Sequence, residues 1–501
     1  MCIRDRVDGV GTYGTVFLGN LNGVTNKTLT LNPNPINTST NLRVRVYGIN
    51  TLCNANLVLN GPATNQAIYY GTVLAPYGAS GIQTYNGVIS GNGGIVQRGG
   101  NTTVLNGQNT YSGGTVPTTG NIAFGVDSTP TSGTVTSGPI GTGPLFVVPE
   151  VGSANGSGTV FATNGSRTIT NPIQYPSATN NQILIIAGAN NLTFTGPFAL
   201  NGQDNTSPAT NRTVQVNNTA LTTFSGVISD GSSGFGLIKA GTSIMILNNT
   251  ETYTGPTTVS AGILQVNGQL NAASAVTVAT NSTLAGSGAI NGSVTVSAGG
   301  ILAPGAASIG TLTVNNNVTN SGNLAFRVNK SLSPSQSNDT AVVTGVLTNA
   351  GAGMVTVTNL GPALVAGDRF VLFSKALANG AALTITNVPA LANGLGMSNS
   401  LAIDGSVKVV AVSTVLVPTN SPHITGFSLV STNVVINATN GQSGGTYYLL
   451  ASTNVAKPLN QWTVVATNVV NTNGASGAFT FIGTNVVGGQ QQFYILSSTN
   501  F

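Results

Sequence analysis

Gly236-Leu237-Ile238-Lys239-Ala240-Gly241, then Leu247-Asn248, then Thr252-Tyr253-Thr254-Gly255-Pro256-Thr257-Thr258-Val259, then Ala261-Gly262-Ile263-Leu264-Gln265-Val266: across this stretch short apolar runs are each closed by glycine, asparagine or proline. Val, Ile and Thr alternate with turn formers and no helical spacing of apolar residues develops, which predicts short strands. Residues 94–115 repeat residues 236–257 at a constant offset of 142 without a gap. Identities fall at Gly94/Gly236, Gly99/Gly241, Leu105/Leu247, Asn106/Asn248, Thr110/Thr252, Tyr111/Tyr253, Gly113/Gly255 and Thr115/Thr257. The same tetrad stands upstream of both copies, Gly87-Val88-Ile89-Ser90 and Gly226-Val227-Ile228-Ser229, with three extra residues in the second connection. An insertion confined to a Gly/Ser-rich link places a turn there.

A second, shorter period runs downstream. Thr258-Val259, Thr277-Val278, Thr295-Val296 and Thr313-Val314 recur at spacings of 19, 18 and 18, and Leu264, Leu284 and Leu302 follow the first three. A unit of that length cannot bury its own apolar face, so the units must stack, one unit to a rung. At about 20 residues per rung and 4.8 Å between stacked strands, residues 80–410 predict roughly 16 rungs and a rod on the order of 80 Å. Val, Ile and Leu should form inward columns, Thr and Ser should face water, and turn Asn side chains should ladder from rung to rung.

Composition agrees with an all-β chain. The 501 residues include 66 Gly and only 5% charged side chains, against about 25% in an ordinary globular domain. The 15 basic and 10 acidic residues are spread thinly, without a basic run beyond the first few positions, which excludes a nucleic-acid footprint. No window supplies the roughly 18 consecutive apolar residues of a membrane helix; the densest run, Ile183-Leu184-Ile185-Ile186, reads as a buried strand. Two cysteines, Cys2 and Cys53, exclude a disulfide framework, and Cys53 is expected to be a small buried hydrophobe.

The stretch from Gly236 to Val266 resembles the autotransporter-associated β-strand repeat almost position for position. The copy at Gly94 follows it through Asn109-Thr110-Tyr111-Ser112-Gly113-Gly114-Thr115, then departs at Pro117, where the strand is expected to fail. With Leu302-Ala303-Pro304-Gly305 and Gly310-Thr311-Leu312, the resemblance covers a third of the chain. It implies a passenger-type solenoid, exported to or beyond the outer cell surface, without enzymatic activity. The expected fold is therefore all-β, a right-handed parallel β-helix over residues 7–413, with its best copies at 87–116 and 226–268, continuing rungs at 275–326, and closing strands at 338–345 and 367–373. A Pro-containing linker at 414–422 is expected to lead to a small β-sandwich or cap domain at 423–501. Roughly 80 residues beyond the linker are too few for a 12-strand outer-membrane barrel, so export by another route is expected. Residues 1–6, Met-Cys-Ile-Arg-Asp-Arg, carry three charges and read as adapter-derived; a signal peptide is expected to be missing from a truncated N-terminus.

Few residues offer chemistry. His423 is the sole histidine, which removes two-His metal sites and disfavours a Ser-His pair; a solvated hinge position is expected for it. Asp230 and Glu251, about one rung apart, are the acid pair that a polysaccharide-active enzyme would need. Lys239 and Arg98 are expected to be solvated in equivalent turns. Tyr111 and Tyr253 read as packing marks of the rung, with sugar stacking as the alternative, and Trp462 as the core of the last domain or a carbohydrate-stacking anchor. Tyr111, Tyr253 and Trp462 are thus the ligand-contact candidates, and no catalytic residue, cofactor or metal site is expected. The expected protein is secreted or on the cell surface, structural or adhesin-like, presenting a long polar surface to glycans, cell-surface or matrix components, with no nucleic-acid partner and no membrane span. The alternatives are a polysaccharide-active β-helix enzyme and a carbohydrate-binding surface protein.

Overall fold

A computed structural model describes residues 4–6, 13–18, 27–31, 41–47, 51–61, 73–78, 80–148, 158–175, 183–202, 211–332, 337–412, 421–442, 445–469, 477–483 and 491–498. The chain divides into two compact units, Met1–Val410 and Ala411–Phe501. Residues 1–3 of the proposed adapter and residues 414–420 of the proposed linker lie outside the described residues.

The first unit is a parallel β-helix. Thirteen strands, from Thr51–Cys53 to Leu347–Asn349, pair into one long sheet. A ten-stranded early sheet runs from Arg4–Arg6 to Ile228–Ser229, and a ten-stranded late sheet from Arg167–Ile169 to Thr384–Val388. A four-stranded sheet begins at Gln269–Leu270, after the early sheet has ended. One circuit visits three faces: Val276–Val278 in the long sheet, Ser282–Gly286 in the late sheet, Ala289–Ile290 in the four-stranded sheet, then Val294–Val296 directly above the start. Parallel neighbours cannot be joined by a hairpin, so each must be reached by a full turn of the coil.

Register carries the inward columns. Met245, Leu264, Leu284, Leu302, Leu324, Val355 and Ile385 are successive partners along the late sheet, and Leu264, Leu284 and Leu302 are fully buried. Val259, Val278 and Val296 stack likewise, while Thr258, Thr277 and Thr295 face outward beside them. Thr313-Val314 does not continue this column. It lies in the four-stranded sheet against Ala289-Ile290, and Val318-Thr319 takes the place above Val294-Thr295. Earlier in the coil the interior is aromatic, with Phe194 and Phe224 stacked at 5.0 Å and Phe198 and Phe224 at 5.9 Å.

The turns ladder through amides. Asn86 Nδ2 donates to Asn54 Oδ1 at 2.9 Å and Asn106 Nδ2 to Asn86 Oδ1 at 2.8 Å; Asn267 reaches Asn248 at 3.0 Å and Asn315 reaches Asn291 at 2.8 Å. Stacked amides satisfy each other at turns that no other chain covers.

Rung length departs from the expected 18 to 20 residues. The step is 18 between Val276 and Val294 but 38 between Asn121 and Thr159 and 30 between Ile183 and Thr213. The long sheet accordingly holds 13 strands, not 16, and spans about 58 Å at 4.8 Å per step. Part of the longest step is an exposed excursion around residues 129–134, closed at its base by the Thr129–Ser137 bridge, which the strands tolerate because loop closure costs little more as loops lengthen. Pro117 does not abolish its strand either. Thr115–Pro117 pairs with Ile95, Val96 and Gln97, with the proline as its last residue, and Asn121–Phe124 follows with Ile122 and Phe124 fully buried. A proline at a strand end removes little from the ladder.

The C-terminal end of the coil is closed from within the first unit. Leu364, Phe370, Leu372, Phe373, Leu377, Leu401, Val407 and Val409 join the solenoid core, carried partly by the antiparallel pair Arg369–Val371 and Ser406–Ala411. An end blocked this way presents no continuous apolar interior to water.

The second unit holds two three-stranded antiparallel sheets. One orders His423–Val430, Asn433–Thr439 and Phe479–Gly483; the other orders Thr463–Val469, Thr446–Ser452 and Phe493–Ser497. Val434, Ile436, Ala438, Tyr447, Leu449, Phe479 and Phe481 form their shared core. Trp462 is not part of it. The residue is half-buried, with its indole Nε1 donating to Lys457 O at 2.9 Å, because the short 3-10 turn Leu459–Gln461 holds it ahead of the strand.

Candidate functional site

The polar residues of the two repeats are structural, and they occupy matching places. Tyr111 and Tyr253 are fully buried, and their hydroxyls meet Thr115 Oγ1 at 2.5 Å and Thr257 Oγ1 at 2.6 Å. Burial pushes both phenols well above their ordinary pKa. Neither ring offers a face to a ligand.

Lys239 and Arg98 are buried, contrary to the solvated turn expected for them. Lys239 Nζ donates to Gly241 O at 2.6 Å, Ser243 O at 2.5 Å and Ala261 O at 2.9 Å. Its counterpart at offset 142 is Gln97, whose Nε2 donates to Asn101 O at 3.1 Å. Both side chains turn back to collect the carbonyls of a tight turn. The three carbonyls explain why an ammonium tolerates the site although burial lowers its pKa to about 8.

The two acids are likewise committed to backbone. Asp230 accepts from Gly234 N at 2.8 Å, Phe235 N at 3.1 Å, Thr254 N at 3.1 Å and Thr254 Oγ1 at 2.8 Å. Glu251 Oε2 accepts from Ile228 N at 2.5 Å, and burial raises its pKa to about 8 against the opposing pull of that bond. The residue at offset 142 is Asn109, whose Oδ1 accepts from Ile89 N at 2.7 Å. The isoleucine of each Gly-Val-Ile-Ser tetrad is thus held by a side chain one rung on. Both acids are essentially inaccessible, at 0% and 1% exposure, so they offer no surface to a substrate. Only identities marked the repeat in the sequence; the informative pairs Gln97/Lys239 and Asn109/Glu251 differ in residue type, and the 142 offset was their signal.

Among the described residues a concave feature lies elsewhere, on the outer face of the late sheet. A groove of about 250 Å³ runs over Ile263, Gln265, Ala285, Ala303, Ala325 and Arg327. Gln265 is in register with Ala285, and Ala285 with Ala303; small side chains at successive rungs make the trough. Its wall is the loop after Ile301–Pro304, pinned by Arg327. Arg327 Nη1 donates to Ala306 O at 2.8 Å and Nη2 to Ser308 O at 2.6 Å, while Nε meets Asp339 Oδ2 at 2.7 Å. Asp339 in turn accepts from Gly310 N at 2.9 Å. Gly305 sits at φ +87°, and a Cβ there would lie 2.2 Å from Arg327 Nη2 and 2.3 Å from Asp339 Oδ1, so the wall requires glycine. A floor of alanines with an amide and the Thr283 and Thr358 hydroxyls beside it, and with Arg327 already paired to Asp339, suits a neutral, partly apolar ligand.

Among the described residues no group of three or more His, Cys, Asp and Glu side chains is arranged to hold a metal ion. No described helix is long and apolar enough to cross a membrane, which says nothing of a β-barrel. His423 is exposed at the start of His423–Val430, and Cys53 is buried with its thiol pushed up in pKa by burial.

Residues 95–116 and 237–266, the two segments whose turns are locked in this matching way, fit the family model of the passenger-associated-transport-repeat. The chain carries the autotransporter passenger repeat. An 87-residue stretch, 17% of the chain, is 40% identical to the Adhesin BmaC autotransporter of Brucella suis biovar 1 (strain 1330). That match spans 2% of the relative's length. The passenger repeat and the parallel coil therefore agree: each repeat supplies strands to two adjoining faces and a locked turn between them.

Proposed function

We propose that this protein is a secreted or cell-surface, adhesin-like passenger whose solenoid wall makes contact with glycans or matrix components and carries out no reaction. The observation behind this reading is the pair of passenger repeats, supported by likeness to a protein named as an adhesin. The enzyme alternative loses the pair it needed, since Asp230 and Glu251 are buried and bonded to backbone. The groove over Ala285, Ala303 and Ala325 is the contact point we assign. Binding of the purified full chain to a glycan array and to immobilised matrix proteins tests the proposal. Binding lost in Ala303→Trp, with an unchanged melting curve, is the expected result. Binding that is absent, or indifferent to that substitution, or release of products from uronate or neutral polysaccharides, would overturn it.

A second reading places a carbohydrate anchor at Trp462, favoured by its half-exposed indole outside the buried cluster. Loss of glycan binding in Trp462→Ala, with the groove intact, would select it over the first.

A further inference from the structure

The second unit is closed on one side and open on the other. On the closed side, Asn468 Nδ2 in Thr463–Val469 donates to Thr480 O in Phe479–Gly483 at 2.7 Å, joining one sheet to the other. On the open side His423–Val430 and Phe493–Ser497 are both edge strands, each paired with a single neighbour among the described residues. Among the described residues the ring contact there is Phe427 with Tyr494, at 6.4 Å.

The face that should be core is uncovered along this edge. Phe427 is in register with Ile436 and Leu429 with Val434, so both point to the side on which Ile436 and Val434 are buried. Yet Phe427 is 59% and Leu429 57% exposed, with Ile424, opposite Ala438, at 49%. An eight-residue edge strand with apolar residues on its core side and no charged side chain has only the irregularity between Ile424 and Gly426 near its start to oppose strand addition, and Phe427 to Val430 run in regular register beyond it.

We infer that this edge is a homotypic interface, at which His423–Val430 of one copy pairs antiparallel with the same strand of a second copy. A strand related to itself by a two-fold axis is self-complementary, setting the Ile424, Phe427 and Leu429 stripes of the two copies side by side. Charge favours a second copy over a foreign partner. Residues 411–501 contain one charged side chain, Lys457, besides the single histidine. Two such units do not repel each other, and nothing there recruits an acidic or basic partner. Pairing would join two three-stranded sheets into a continuous six-stranded one and remove two free edges at once.

Sedimentation of the full chain over a wide concentration range tests this. The expected result is a dimer that dissociates on dilution, and its loss to a monomer in Phe427→Lys/Leu429→Lys. A wild-type monomer at every concentration, or a lysine variant that dimerises as before, would overturn the proposal. Should the lysine variant not fold, oxidative cross-linking in a Cys2→Ser background decides. Ser428→Cys should yield a covalent dimer and Thr480→Cys, on the closed side, should not. Cross-linking at both positions or at neither contradicts the interface.

Discussion

Burial keeps Glu251 protonated at neutral pH, and that has a thermodynamic sign. Its folded pKa, raised to about 8 from an ordinary 4.5, means the folded state binds the extra proton. The stability it allows is complete below pH 4.5 and is lost as pH rises through about 8, on the order of a few kcal/mol in all. Thermal melts of the wild type should fall across that window, and Glu251→Gln should flatten the profile and raise the melting temperature at its upper end. The passenger repeat already contains the neutral solution, because Asn109 performs the same task for Ile89. Lys239 makes the complementary case. Lys239→Gln should be nearly neutral, since Gln97 fills the matching turn, whereas Lys239→Met should cost about 1–3 kcal/mol by leaving buried carbonyls without a donor, measured by chemical denaturation. At this scale the sequence was poorly legible. A lysine and a glutamate in a Gly/Thr-rich turn read as solvated or reactive, and only the third dimension shows carbonyls and an amide converging on them.

Elements were more legible where a column repeats once per turn. Leu264, Leu284 and Leu302 announced a buried stack because each fills the same inward position. Leu284→Ala should lower stability by about 2–5 kcal/mol while Thr277→Ala, on the outer face, should leave the unfolding midpoint almost unchanged; parallel denaturation curves compare them. Thr313-Val314 is the exception: spacing in the chain does not fix which face a dipeptide lands on, and it lies in another sheet, against Ala289-Ile290. The groove wall was invisible in the sequence for the same reason. Gly305, Arg327 and Asp339 are distant along the chain and meet because two rungs stack. Gly305→Ala should displace the Arg327–Asp339 pair and weaken any groove ligand more than it weakens the fold, read by binding and melting measured together.

Across the whole coil, stability belongs to neighbouring rungs and is nearly one-dimensional. Hydrogen exchange should therefore grade along it. Amides of Gly262–Val266 and Ser282–Gly286, covered by rungs on both sides, should exchange far more slowly than those of Thr384–Val388 at the edge of the late sheet; uniform protection would refute a rung-by-rung account. The sequence foretold the coil but overcounted its turns, since insertions such as the one between Asn121 and Thr159 carry no signature of the strands they separate. One feature of the stack bears on how the surface is met from outside. Gly94–Gly99 and Thr102–Leu105 of the first repeat lie in the early and long sheets, whereas Leu237–Ala240 and Ile244–Leu247 of the second lie in the long and late sheets. The second copy is thus turned by one face, a third of the way round, and its long-sheet strand lies five steps, about 24 Å, beyond that of the first. The exteriors of the two copies therefore face different directions, and a body that approaches one copy along a given line does not meet the other along the same line.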